Sequence, residues 1–188
     1  MMALFRRNPL REAAELAYRR VVEQARQPAF FAASGVPDTV DGRFELIALH
    51  AFLYLHRLKR EQPQGAPLGQ LFVDRMFADF DQSLRELGTG DLSVGREVKR
   101  MAQAFYGRID AYERGLAQGD PALEAALSRN LFGTVPAERV SLEAMATYLR
   151  RETARLEAQP GMQLLAGEVE FGRPPAIPAI SAASGGGD

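Results

Sequence analysis

Two imidazoles, His50 and His56, are the chain's whole supply, six residues apart in one apolar run. On a helix that spacing turns them about 120° from one another. They cannot share one ion from that helix. Di-iron bundles use Glu-x-x-His pairs, but Ile47 and Leu53 stand three residues ahead of the two histidines. The chain has no Cys, which removes disulfides, thiolate metal sites, iron–sulfur ligation and thiol catalysis. His50 therefore reads as a core or boundary side chain and His56 as a surface one.

The carboxylates point the same way. Asp74 and Asp81 share a helix face but lie two turns apart, roughly 10 Å, too far to share a proton as a catalytic dyad does. Arg75 with Asp79, and Asp81 with Arg85, have the i,i+4 spacing of ion pairs. Gly88-Thr89-Gly90-Asp91 resembles an anion nest before a helix, but it lacks a preceding strand and a Lys, and Asp91 repels an anion. Gly-x-Ser-x-Gly is absent. Arg96, Lys99, Arg100 and Arg108 suggest a recognition helix, but Glu97, Asp110 and Glu113 interrupt them. No catalytic, metal-binding or cofactor-binding residue is assigned, and nucleic-acid binding is not expected.

These residues need helices to position them. Asn8-Pro9 is a capping side chain followed by Pro at the first helical position. Leu10, Ala14, Ala17, Tyr18, Val21 and Ala25 then keep a helical period until Pro28. After a loop over Gly35–Gly42, with Asp41 as cap, a second helix of about Arg43–Glu61 is apolar nearly all round, as a central bundle helix is. Further helices are predicted over about Leu68–Leu87, Leu92–Gln118 (capped by Asp91 or Ser93), Asp120–Phe132 and Pro136–Ala158. Gly107 sits in mid-helix, at a cost of about 1 kcal/mol against Ala. It marks either a tight helix crossing or a shallow groove beside Tyr106 and Arg108.

The expected fold is an all-α compact bundle of five to seven helices over residues 1–159. Residues 160–188 hold four Pro and six Gly and end Ser-Gly-Gly-Gly-Asp, the pattern of a flexible tail. Met162–Phe171 retains the option of lying as an extended strip on the bundle. The chain has 188 residues, 23 basic against 24 acidic, and 46% hydrophobic content, an ordinary soluble balance. Arg6 and Arg7 are followed by no apolar signal region. The longest near-apolar run, Leu46–Leu55, is far short of the roughly 20 residues of a membrane span. A cytoplasmic location is expected.

One succession of residues resembles a known family. The run from Phe72 through Asp-Gln-Ser-Leu-Arg-Glu (81–86) and Gly88-Thr-Gly-Asp91 to Phe105-Tyr-Gly-Arg108 resembles the ubiquinol–cytochrome c chaperones. So do Gly35–Leu46 and the helix from Leu49-His50 to Arg57-Leu58; the resemblance covers about Tyr18–Tyr148. It implies a non-enzymatic chaperone that binds newly made cytochrome b during assembly of the ubiquinol–cytochrome c reductase (bc1) complex. It also implies work near the ribosome, a small partner subunit, and a position peripheral to the inner membrane through the client. No mitochondrial presequence is visible, so the chain is similar to a bacterial member. Carried over from the matching motif, the expected protein-binding residues are Asp79, Asp81, Arg85, Asp91, Lys99, Tyr106, Arg108 and Tyr112. The abundance of apolar residues in the second helix suggests an apolar groove for a membrane-protein client. The alternative is a helical protein with a pocket for a quinone- or haem-like molecule.

Overall fold

The structure, a computed structural model, describes residues 8–175. All regular structure among them is helical: α1 (Pro9–Ala25), α2 (Pro28–Ala32), α3 (Val40–Leu58), α4 (Gly65–Glu86), α5 (Asp91–Gln118), α6 (Asp120–Asn130), α7 (Arg139–Ala158) and α8 (Gly161–Leu165). Six helices are of eleven residues or more and two are five-residue turns, so the all-α bundle stands as expected.

Local chemistry explains most boundaries. The Asn8 side chain accepts from the Leu10 amide and Pro9 opens α1. Thr39, rather than Asp41, caps α3 by accepting from the Gly42 amide at 3.1 Å. Gly90 and Gly119 occupy the cap positions of α5 and α6 without a side-chain bond, and Asp91 and Asp120 stand in the first turns, where a carboxylate complements the helix dipole. Pro28 closes α1 and at once opens α2.

α3 is the axis. Every residue from Phe44 to Tyr54 is buried, and α1, α4, α5 and α7 all pack on this helix. That explains its all-round apolarity and corrects one expectation: most of its apolar residues are consumed by the core, and only its first turns line a cavity. α5 and α6 are pressed together at Gly115, where a Cβ would lie 2.8 Å from Leu123 Cα. Gly107 has nothing within 4 Å of where a Cβ would stand, so it marks no helix crossing.

The expected boundary at residue 160 also moves. Leu164 and Val169 are buried, and the Tyr54 hydroxyl donates to the Leu164 carbonyl at 2.9 Å. Residues 160–175 are seated on the bundle because side chains from α1, α3 and α7 supply the hydrogen bonds that their irregular backbone needs. The rest of the expected tail, 176–188, lies outside the described residues. Among the described residues, no helix is long and apolar enough to cross a membrane.

Candidate functional site

The N-terminal turns of α3, the end of α4, the middle of α5 and the end of α6 enclose a cavity of about 270 Å³. Phe44, Leu84, Met101 and Ala104 give it an apolar wall, while Arg100, Arg108 and Arg129 give it cations. Its base is an ion pair. Arg108 Nε and Nη2 donate to the two carboxylate oxygens of Glu45, and the guanidinium lies 5.3 Å from the Phe44 ring centroid. Both side chains are largely withdrawn from water, 17% and 8% exposed. Burial raises the Glu45 carboxyl above its ordinary range, and Arg108 works against that rise.

Tyr112 stands one turn further along α5 and is fully buried, with its ring 5.5 Å from Phe52. Among the described residues its hydroxyl has no hydrogen-bond partner. Burial, and then the neighbouring Glu45 carboxylate, push the hydroxyl's pKa up.

The eight carried-over residues do not form one patch. Arg108 and Tyr112 face inward, with the Arg108 guanidinium at the cavity. Lys99 and Tyr106, seven residues apart, lie on the outward face of α5. Tyr106 is 54% exposed, and Lys99 is exposed with no ion-pair partner among the described residues. Asp81, Arg85 and Asp91 form an exposed bridge across the α4–α5 turn, Arg85 donating at 2.6 Å to both carboxylates. Asp79 belongs elsewhere: it accepts from the Tyr18 hydroxyl at 2.8 Å and from Arg75 at 3.3 Å, joining α1 to α4.

Sequence reasoning did not select Glu45. Its signal was available, since Glu45 is the sole acidic residue between Phe44 and Leu55 in a helix apolar all round. A charge there demands a buried partner. Arg57 is a second case: it is buried and donates to the carbonyls of Leu156 (2.9 Å) and Gln159 (3.2 Å), capping the end of α7.

Both histidines are engaged within the fold. His50 Nδ1 donates to the Leu46 carbonyl at 2.7 Å, which makes Nε2 the acceptor for the Tyr148 hydroxyl, also at 2.7 Å. It is a fully buried core histidine. His56 is half-buried rather than a surface side chain, 3.5 Å from Glu113, which also pairs with Lys59.

The sequence model described as ubiquinol–cytochrome C chaperone matches residues 32–171. The chain belongs to this family. The ubiquinol–cytochrome-c reductase complex assembly factor 1 of Xenopus laevis is 30% identical over 81% of the chain and 76% of its own length. The human protein of that name is 30% identical over 82% of the chain, which spans only 52% of it. The crystal structure of the Cbp3 homolog from Brucella abortus superposes with a TM-score of 0.78 at 37% identity, covering 88% of this chain and 91% of that one. α3 to α8, and the strip after α8 as far as Phe171, fall inside the matched family segment. The α3–α5 cavity and the outward face of α5 are therefore features of the chaperone domain itself.

Proposed function

We propose that this chain is a non-enzymatic assembly chaperone for the ubiquinol–cytochrome c reductase (bc1) complex, with newly made cytochrome b as its client. The single observation that carries the reading is the family match over residues 32–171, joined to relatives named as assembly factors of that complex. The client-facing surface is the outward face of α5, with Tyr106 as aromatic anchor and Lys99 as cation, continued around the helix to the amphipathic cavity over Glu45–Arg108. An exposed Tyr in mid-helix is a favoured interface residue; the Tyr106 ring leans on Phe105 at 5.8 Å and leaves its other face to solvent. The chaperone works at the inner-membrane surface through its client, on the cytoplasmic side, with the ribosome and a small partner subunit as further contacts.

A pocket for a quinone- or haem-like molecule is less well supported. The Glu45–Arg108 cavity, at 270 Å³, lies below the usual range of roughly 300–1,000 Å³ for small-molecule pockets, and the larger hollows, such as that of 640 Å³ beside Arg26 and Phe31, are open to solvent. His50 has both ring nitrogens committed to protein partners.

The test is an in-cell photo-crosslink from position 106 in the native host, with the adducts read by mass spectrometry. Cytochrome b is the expected main adduct. A different dominant partner, with cytochrome b absent from several other probed surface positions as well, overturns the client assignment. Arg108→Ala is a poor probe of the same question, because it breaks a buried ion pair; Tyr106→Ala and Lys99→Ala change the outward face alone.

A further inference from the structure

Lys99, Gln103, Tyr106, Asp110 and Glu113 follow one another along α5 at alternating steps of four and three residues, the spacing that keeps a single seam on a helix. The first four are exposed and Glu113 is half-buried. The seam opens on a cation, carries its aromatic ring in the middle and closes on two carboxylates. Lys99 and Asp110 have no ion-pair partner among the described residues; Arg114 bonds the Asp110 main-chain carbonyl at 3.2 Å and not its side chain. Glu113 meets Lys59 and His56, both through Oε1, and 31% of its side chain is exposed. Gly107, beside Tyr106, has nothing within 4 Å of where a Cβ would stand. The cost of a mid-helix Gly is not offset by packing inside the bundle.

Such a seam is complementary to itself run backwards. When two α5 helices lie antiparallel with a two-fold axis at Tyr106, Lys99 of each copy stands against Glu113 of the other, because both are seven residues from the axis. Gln103 stands against Asp110, and the two Tyr106 rings meet at the axis. Parallel pairing instead sets Lys99 on Lys99 and Glu113 on Glu113. We propose that the outward face of α5 is a self-docking surface, through which two copies of this chain form an antiparallel two-fold dimer centred on Tyr106.

A two-fold interface requires one patch to match itself, and the reversal of charge about Tyr106 meets that requirement. The tyrosine supplies the apolar anchor, and Gly107 beside the axis lets the two backbones approach closely. Exposed charge pairs add little stability, but they select the antiparallel orientation over the parallel one. The remaining cations of this side are already engaged: Arg100 donates to Glu97 at 2.9 Å and Arg114 to its own helix. The seam spans about 21 Å of helix, a small contact of the kind that forms and releases readily. The dimer covers Tyr106 and Lys99, so a second copy and a client compete for one face. The dimer itself rests on the seam and not on the identity of the client.

The test uses the purified full chain in sedimentation velocity at rising concentration. A reversible monomer–dimer equilibrium is expected. Lys99→Glu should weaken it at least tenfold, because it sets two carboxylates against each other at both ends of the seam. Adding Glu113→Lys to that variant should restore association to within about threefold, since the pair is recreated in reverse. A chain that stays monomeric up to about 1 mM, or a dimer indifferent to Lys99→Glu, overturns the proposal. If Glu113→Lys disturbs the fold through Lys59, thiol pairing decides, because the chain has no Cys of its own. Gln103→Cys and Asp110→Cys variants are mixed and oxidised. A mixed disulfide at least tenfold more abundant than the self-disulfide of either variant alone supports the antiparallel seam. No disulfide, or self-disulfides in equal yield, overturns it. Neither arm involves cytochrome b, so a failure here leaves the client reading to its own crosslinking test.

Discussion

Tyr112 and Tyr148 stand on opposite flanks of α3, one packed on Phe52 and the other on His50, and both are fully buried. Their hydroxyls fare differently. Tyr148 donates to His50 and accepts from Gln24, inside a network that continues to the strip after α8. The Tyr112 hydroxyl has no hydrogen-bond partner among the described residues. The α7 flank is a closed polar network, and the α5 flank is an incomplete one beside a cavity. A complete network favours a single arrangement, and an incomplete one leaves free energy to be gained on binding. The pair of tyrosines therefore separates the flank that fixes the fold from the flank proposed to meet a client.

The largest effect breaks the α5 flank at its charge. Arg108→Ala leaves Glu45 buried without its counter-ion, a loss of about 3–5 kcal/mol for a broken buried pair. Guanidinium denaturation should show this as a lower midpoint at unchanged slope. A loss below 1 kcal/mol would mean that water reaches Glu45 and that the cavity base is not dry. Restoring the cation with Arg108→Lys should recover only part of the loss, because Lys lacks the two-pronged donor geometry.

Tyr148→Phe comes next. It removes the donor to His50 Nε2 and the acceptor of the Gln24 amide, and two buried groups then lack this partner. The expected cost is about 1–3 kcal/mol, measured by thermal or chemical denaturation.

The same flank sets a pH dependence. Burial pushes His50 down to about 4 from its ordinary 6.5. Between those values the unfolded chain binds the extra proton and the folded chain does not. Stability is therefore complete above about pH 6.5 and falls as the pH drops toward about 4. Glu45 acts oppositely: its raised folded value contributes stability at low pH that is lost as pH rises through that value. Imidazole NMR isolates the histidine, whose ring should remain neutral at pH 5; a His50 that titrates near 6.5 would contradict a sealed α7 flank.

Periodicity alone reached most of the fold. The alternation in Leu10–Ala25, the unbroken apolar ring of α3 and the Pro and Gly punctuation follow from local geometry, and the helices sit where those signals put them. The strip after Pro160 did not yield to the same reasoning. Its composition is that of a loop, and what seats it are Gln24, Tyr54, Glu152 and Gln159, contributed from far along the chain. The candidate site was legible in pieces. The motif supplied Tyr106 and Arg108, but α5 turns them to opposite sides, and helical phase could have separated them. Asp79 enters as a protein-binding residue only through the motif; its i,i+4 spacing shows the ion pair with Arg75, while its bond to Tyr18 spans 61 residues. Long-range partners of this kind leave no local trace in a single sequence.

The smallest expected change is the sharpest test of the comparison. Tyr112→Phe deletes a hydroxyl that bonds nothing, whereas Tyr148→Phe deletes one that bonds twice. Removing an unpaired buried polar atom while keeping the ring should leave stability unchanged or raise it by about 1 kcal/mol. The ring's contact with Phe52 is preserved, so no cavity term enters. Paired denaturation curves of the two variants therefore ought to diverge in sign or in size despite identical chemistry. A loss of 1 kcal/mol or more at Tyr112 would place a partner on its hydroxyl in solution, most simply an ordered water reaching in from the Glu45–Arg108 base. The α5 flank would then be closed as well, and client binding would have to draw on the outward face of α5 alone.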